Sequence, residues 1–343
     1  MELKEKLLNL VNGKKVQICT HWDADGVTSA AIIYHLIKGI AESVKTKTKG
    51  MPFLIEPADI GKEIEVVICT DINPSEELMK LPQNLSVIYI DHHPCPQTEK
   101  FTLSIHDENS KSTSLLIYNS LLKDTDDPYM VFLVLVGYFG DCGSRDSIPK
   151  DLLGKANALI PNLMRSHDSL YHDGQYFEIE KYVPSLNAGK RMNWSGEIPL
   201  ELLKNIDSPE PFVKCVHPLA VQLKQYCHQL RQSYNAPVEV KSTGKIDYII
   251  IEDPKNVQGV LAAKNIGKKP IMVINLLEDE AIGSMRCPEN LDFDVGEFLN
   301  NFSGKLSGYL GGGHKEAGGF TLDKKELSKF MELVKGSEFN MLD

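Results

Sequence analysis

The sequence predicts an α/β protein: a doubly wound, mainly parallel sheet, then a smaller α/β domain joined to it by a helical connector. Three observations carry this expectation. Val16-Gln17-Ile18-Cys19-Thr20, Glu65-Val66-Val67-Ile68-Cys69-Thr70 and Ser86-Val87-Ile88-Tyr89-Ile90 are short, mainly apolar runs of strand length. Each ends in acidic or imidazole side chains, and helical patterns separate them, as expected of parallel strands buried on both faces. A second alternation of strands and helices begins after Pro237.

Taken in order, the first strand runs into His21-Trp22-Asp23-Ala24-Asp25-Gly26-Val27-Thr28-Ser29 and then an apolar helix, Ala30 to Ile37. Asp23 and Asp25 are expected to alternate to one side of an extended backbone, with Gly26 allowing the turn into the helix. The same residues also suit a plain helix cap. The second run ends at Asp71, and Pro74-Ser75-Glu76-Glu77 opens a helix. The third ends at Asp91-His92-His93-Pro94. Helical patterns follow over Ser112–Lys123, Pro128–Phe139 and Lys150–Arg165, the second carrying Val131 to Val136 and then Gly140-Asp141-Cys142-Gly143. From Ser166 to Ile206 the pattern is helical or irregular.

Asp207-Ser208-Pro209-Glu210-Pro211 marks a boundary, and a helix from Phe212 to Tyr234 is expected before Asn235-Ala236-Pro237. Domains are therefore expected at 1–207 and 237–343, with the connector at 208–236. In the second domain strands are expected at Tyr248–Ile251, Ile271–Ile274 and Ala281–Arg286, and helices at Val257–Ala263 and Lys324–Val334.

The chain has 343 residues, with 37 basic against 47 acidic side chains and a net charge of −10. That balance argues against sequence-independent gripping of long duplex, which needs a basic stripe. Seven cysteines form no Cys-x-x-Cys pair and read as reduced thiols. The first residues read as an amphipathic helix without a signal-peptide core, and no run is long enough to span a bilayer. A soluble cytoplasmic protein is the expectation.

Asp23, Asp25, Asp71, Asp91, His92, His93 and Asp141 thus gather at strand and helix ends. Carboxylates with imidazole and no thiolate suit Mn²⁺ or Mg²⁺ better than structural zinc. Converging carboxylates need a counter-charge, and two ions sharing one carboxylate suit phosphate-ester hydrolysis. Three glycines before His314 suggest an anion-binding nest, with Arg286, Lys305 and Lys315 the nearest cations; a flexible loop is the alternative.

His21-x-Asp23-Ala24-Asp25-Gly26, Asp71, Asp91-His92-His93 and Gly140-Asp141 resemble, in that order, the four motifs of the DHH phosphoesterase family. Gly311-Gly312-Gly313-His314-Lys315-Glu316-Ala317-Gly318-Gly319 resembles the signature of its associated C-terminal domain, and Gly283-Ser284-Met285-Arg286 the strand bearing its substrate-contacting arginine. The resemblance covers nearly the whole chain. It implies metal ligands at Asp23, Asp25, Asp71, His92 and Asp141, with Asp71 bridging. It implies Asp91 as an outer hydrogen-bonding support, His93 at the scissile phosphate, and substrate groups at Arg286, Gly311, Gly312, Gly313 and His314. Cys19 stands where small-nucleotide members carry a ligating histidine, so His21 is left to metal or to phosphate. The form is closer to RecJ-type exonucleases, above all archaeal ones, than to NrnA-type oligoribonucleases.

The expected activity is Mn²⁺-dependent hydrolysis of single-stranded DNA or RNA, or of short oligonucleotides, to mononucleotides with two ions; Mg²⁺ is the alternative ion. A phosphoesterase for cyclic or linear dinucleotides or 3′-phosphoadenosine phosphate is the main rival. A non-catalytic replication scaffold is disfavoured by intact acidic motifs, and a family II pyrophosphatase by the glycine signature. Expected partners are the nucleic-acid substrate, no membrane, and a second copy or a replication or repair protein.

Overall fold

The computed structural model describes residues 2–51, 53–80, 85–95, 101–141, 147–168 and 175–337. Cys142 and Gly143 lie outside them. The chain divides into two compact units, Met1–Cys227 and His228–Asp343.

In the first unit, helix α1 (Glu2–Val11) leads to strand β1 (Lys15–His21) and helix α2 (Ala24–Ile37). Strands β2 (Ser43–Lys49), β3 (Val66–Thr70), β4 (Ser86–Asp91) and β5 (Leu103–His106) complete one sheet in the order β2-β1-β3-β4-β5. All its pairings are parallel. The chain leaves β1 for one neighbour, β2, and returns to the other side for β3. That reversal places a crevice at the carboxyl ends of β1 and β3, where open sheets of this order bind ligands. β1, β3 and β4 are buried almost throughout, which explains why their apolar runs read so plainly.

Helices α3 (Thr113–Ile117) and α4 (Pro128–Asp141) follow, the former continued by a single π-helical stretch, Tyr118–Leu122. Eleven of the fourteen residues of α4 are buried, so it is a core helix apolar all round. It passes close to α2, and Gly137 makes room: a Cβ there would lie 2.4 Å from Thr28 Oγ1 and 2.7 Å from Asp25 Oδ1. Helix α5 (Tyr182–Asn193) comes from the stretch in which sequence pattern is least informative.

The second unit carries a mixed six-stranded sheet. Its strands in spatial order are Lys241–Ser242, Asp247–Ile251, Ile271–Leu276, Glu280–Arg286, Ala317–Asp323 and Leu310–Gly313. Among the described residues, only the Asp247–Ile251 and Ile271–Leu276 pair of this sheet is parallel. Helices α6 (Gln258–Lys264), α7 (Val295–Asn300) and α8 (Leu327–Gly336) accompany it. Phe298, Phe302, Tyr309, Phe320 and Phe330 fill its core. Gly283 is required there, since a Cβ would fall 2.0 Å from the Phe320 ring.

Two expectations are corrected, and two strands appear that no expectation covered. The helix expected from Phe212 is broken into Glu210–Val213 and Pro218–Asn235. Cys215 between them has φ +54°, and Pro218 starts a new first turn because it has no N–H to continue the old one. The unit division falls within that second helix. The Lys–Thr alternation of β2 and the four residues of β5 are strands that no apolar run announced. The three glycines form no nest: Gly311–Gly313 are an extended edge strand paired with Gly318–Phe320. An extended strand turns successive N–H groups to alternate sides, so they do not converge on one anion.

Candidate metal centre

The centre grows from the corner between β1 and α2. Asp23 is the cap of α2, with Oδ1 accepting from Gly26 N–H at 3.2 Å. Its Oδ2 faces His21 Nδ1 at 2.9 Å and Lys190 Nζ at 3.4 Å. Asp25 lies one step into the helix. The expected extended alternation of Asp23 and Asp25 is therefore replaced by a strand-to-helix corner that turns the two carboxylates apart. Gly26 is needed for closeness and not for backbone freedom, since a Cβ would lie 2.3 Å from the His21 carbonyl oxygen.

Asp25 is fully buried and held by the amino end of α3, with Thr113 N–H donating to Oδ2 at 2.7 Å and Ser114 N–H to Oδ1 at 3.0 Å. Asp71, just past β3, has φ +59°, a left-handed conformation that costs a non-glycine residue energy. Thr113 Oγ1–H donates to its Oδ1 at 2.9 Å. His92 and His93 follow β4, and Asp141 is the last residue of α4.

Ligand atoms of these residues converge in three overlapping groups, each within 4.8 Å: Asp25, Asp71, His92 and Asp141; His21, Asp23 and Asp71; and Asp71, Asp91, His92 and His93. Asp71 is in all three.

The electrostatics reflect crowding of like charge. Burial, then Asp141, pushes the Asp25 carboxyl up to about 7. Burial and the neighbouring Asp25, Asp23 and Asp141 push Asp71 well above the carboxylate range. Burial also works against Asp23, but His21 and Lys190 outweigh it and hold that carboxyl well below its ordinary value. Burial pulls His92 down, while Asp141 and Asp25 prevail and raise it to about 9. A hydrogen bond to Asp91 raises His93.

The donor set fits a divalent cation. His92 Nδ1 lies 3.1 Å from the Ser110 carbonyl oxygen and donates to it, which leaves Nε2 as the lone-pair nitrogen of the neutral ring. That Nε2 is buried and makes no well-formed hydrogen bond, although Asp141 Oδ2 is 3.0 Å away. Carboxylate oxygens with imidazole and no thiolate are the ligands of Mn²⁺ and Mg²⁺.

Asp91 is fully buried and serves the local turn. Its Oδ1 accepts from His93 N–H at 2.9 Å and faces His93 Nδ1 at 2.8 Å. His93 is about half exposed and tilted against His92, with 4.3 Å between ring centroids. With Nδ1 engaged by Asp91, its Nε2 is on the far side of the ring from that carboxylate.

Arg286, Gly311, Gly312, Gly313 and His314 belong to the second unit. Arg286 Nη1 donates to Ser284 Oγ at 3.1 Å and the Met285 carbonyl at 2.9 Å; burial lowers its pKa, and it joins no ion pair among the described residues. His314 is exposed at a tight turn, its N–H donating to Ala317 O at 2.8 Å and its carbonyl accepting from Gly296 N–H at 3.1 Å.

Sequence reasoning missed four residues at the centre: Thr113 and Ser114 on α3, and Asn187 and Lys190 on α5. Asn187 Oδ1 accepts from Ala24 N–H at 3.1 Å and so fixes the start of α2. Ser112-Thr113-Ser114 before an apolar run was legible as a cap, and Ser112 Oγ does accept from Leu115 N–H. Nothing in the sequence tied α5 to this corner.

Comparison with known proteins accounts for the arrangement. Residues 15–137 match the DHH family, N-terminal domain, and residues 246–337 match the DHHA1 domain. No curated protein matches the sequence. Among solved structures, RecJ in complex with Mn²⁺ from Thermus thermophilus is 21% identical with a TM-score of 0.69. The match covers 97% of this chain and 54% of that one, so this chain spans about half of its length. An exonuclease RecJ bound to manganese is 19% identical, TM-score 0.67, over 98% of this chain and 94% of the other. An exopolyphosphatase-related protein from Bacteroides fragilis is 13% identical, TM-score 0.52, over 97% and 94%. At these identities the likeness is one of fold. The chain carries a DHH domain followed by a DHHA1 domain.

Proposed function

We propose that this DHH–DHHA1 chain is a metal-dependent phosphodiesterase that hydrolyses single-stranded DNA or RNA, or short oligonucleotides, to mononucleotides, with Mn²⁺ as its ion and Mg²⁺ as the alternative. The observation that carries the reading is the set of three donor groups sharing Asp71. The RecJ structures with manganese, similar in fold, support it. On this reading residues 1–207 form the catalytic portion, 208–236 the connector and 237–343 the substrate-binding portion.

Asp25, Asp71, His92 and Asp141 would hold one ion, and Asp23 and Asp71 the other, with His21 serving that ion or the phosphate. Divalent ions there would neutralise charge developing on phosphorus and make water a better nucleophile. The chain's own contribution is positioning. Thr113 and Ser114 fix the orientation of Asp25, and Thr113 that of Asp71. Asp91 orients His93 through Nδ1 and favours its protonated form, leaving Nε2–H to meet a phosphate or departing oxygen. Arg286 and His314 would hold parts of the substrate remote from the reacting bond. The net charge of −10 favours short single strands over long duplex.

No helix among the described residues is long and apolar enough to cross a membrane. A cytoplasmic setting, and a second copy or a repair partner, belong to this proposal.

The test is purified protein with Mn²⁺, with Mg²⁺ and with chelator, against end-labelled single-stranded DNA, short RNA, duplex and dinucleotides. Metal-dependent mononucleotide release from the single strands is expected. Preferred cleavage of dinucleotides would shift the assignment to the small-substrate rival, and hydrolysis of none of these would overturn it.

A further inference from the structure

Among the described residues, Lys190 is the lysine that reaches the centre, through Asp23. Its side chain is 19% exposed, its Nζ is 3.4 Å from Asp23 Oδ2, and it lies in the last turn of α5. That end of a helix favours a positive charge. Asn187, three residues earlier and on the same helical face, bonds to the amino end of α2 and fixes α5 against the corner. The helix is thus anchored, while the ammonium, held on Asp23 in the metal-free chain, sits on a four-carbon stem with several rotatable bonds.

The donor groups are unequal. The Asp25 group has four members, and backbone N–H groups occupy the outer sides of Asp25. The group at Asp23 has three, and one oxygen of Asp23 already faces both His21 and Lys190. A dication arriving at Asp23 Oδ2 meets a positive charge at contact distance. Lys190 also feels Asp141 of the Asp25 group, but its hydrogen bond is to Asp23, so its charge bears most on the position at Asp23.

We propose that Lys190 is a displaceable counter-ion that ranks the two cation positions, making the one at Asp23 the weaker and yielding its place when that position fills. This rests on the metal-centre reading above. Lys190 neutralises Asp23 in the metal-free chain, where five aspartates crowd together. When the ion enters, the ammonium leaves Asp23 and remains at the rim of the cluster.

The experiment is titration of the full chain with Mn²⁺ alone, followed by calorimetry and by intrinsic fluorescence. The chain's two tryptophans, Trp22 and Trp194, lie 6.3 Å apart, one beside Asp23 in sequence and the other just past α5. Wild type should bind in two steps of different affinity. Lys190→Met should tighten the weaker step about tenfold or more and leave the tighter one within about twofold. Lys190→Arg, which keeps the charge, should retain the weak step. Equal change of both steps in Lys190→Met, or of neither, overturns the proposal.

A second arm needs no variant. Acetylation of Lys190 in wild type, read by mass spectrometry, should rise about threefold or more on adding Mn²⁺ and fall back with chelator, because a released ammonium is more accessible. Unchanged or reduced labelling overturns the proposal. Failure to bind Mn²⁺ at all would overturn the metal-centre reading with it, whereas two-step binding indifferent to Lys190 would overturn this inference alone.

Discussion

Removing metal should make the protein sensitive to pH in a direction fixed by the centre. Burial and Asp141 push the Asp25 carboxyl up from 3.8 to about 7, and Asp71 is raised in the same sense. A carboxyl raised on folding contributes stability at low pH and loses it as pH climbs through the folded value. His92, raised from 6.5 to about 9, likewise favours the folded state below 6.5 and loses that contribution as pH rises towards 9. The gap between 3.8 and about 7 opposes the ionised, metal-free fold by roughly 4 kcal/mol, an upper figure for Asp25. Asp25 loses most of its contribution between 3.8 and about 7; between about pH 6.5 and 8.5 the slope comes from His92, with Asp71 acting in the same sense, and approaches ~1.4 kcal/mol per pH unit for each proton retained by the folded state. Asp23 and Asp59, held low, are ionised throughout that window. His35, lowered by burial, is neutral in both states over most of it, and the raised thiols of Cys19 and Cys69 act only above it. A loss of about 2 kcal/mol in a unit of this size should lower Tm by roughly 4–8 °C. The assay is differential scanning calorimetry in chelator and in Mn²⁺ across the window. The ion replaces the protons, so its stabilisation should grow with pH and flatten or reverse the slope. A chelated protein whose Tm is flat or rises over the window, parallel to the loaded one, would refute the argument.

Two further outcomes are expected. Asp71→Asn, which tolerates φ +59° and keeps an acceptor for Thr113, should raise the Tm of the metal-free protein, abolish paired Mn²⁺ binding and lower hydrolysis by on the order of a thousandfold; calorimetry and single-strand turnover check it. His314→Ala should lower kcat/KM about ten- to a hundredfold for oligonucleotides and little for a small activated phosphodiester, because remote contacts aid only substrates that reach them; the ratio of the two values in wild type and variant decides.

The first unit's sheet was legible where burial on both faces forced continuous apolar runs, in β1, β3 and β4. β2 was not, because it is an edge strand whose lysines meet carboxylates from the following loop: Lys47 and Lys49 both pair with Asp59. Its pattern reads as a solvated segment. Gly311–Gly313 concealed a strand for a different reason: glycine carries no side-chain periodicity, and only pairing with Gly318–Phe320 makes the segment extended. The helical connector was legible, but its break was not, although Pro218 marked the place.

At the centre, the eight acidic and imidazole residues were legible because each lies at or within two residues of a strand or helix end, and such ends meet at a topological reversal. Their division of labour was not. A D-x-D pair on one strand would present both carboxylates to the same ion. Here the strand ends at His21, Asp23 caps a helix, and Asp25 has already turned inward beneath α3. The two carboxylates therefore fall into different donor groups, and a third residue must join them. Asp71 does so from a left-handed backbone conformation, with Thr113 donating to the oxygen that lies near His92 and His21 near the other. Strain at one residue, held by its neighbours, sets the spacing of the whole centre, and backbone conformation of that kind has no signature in a string of residue types.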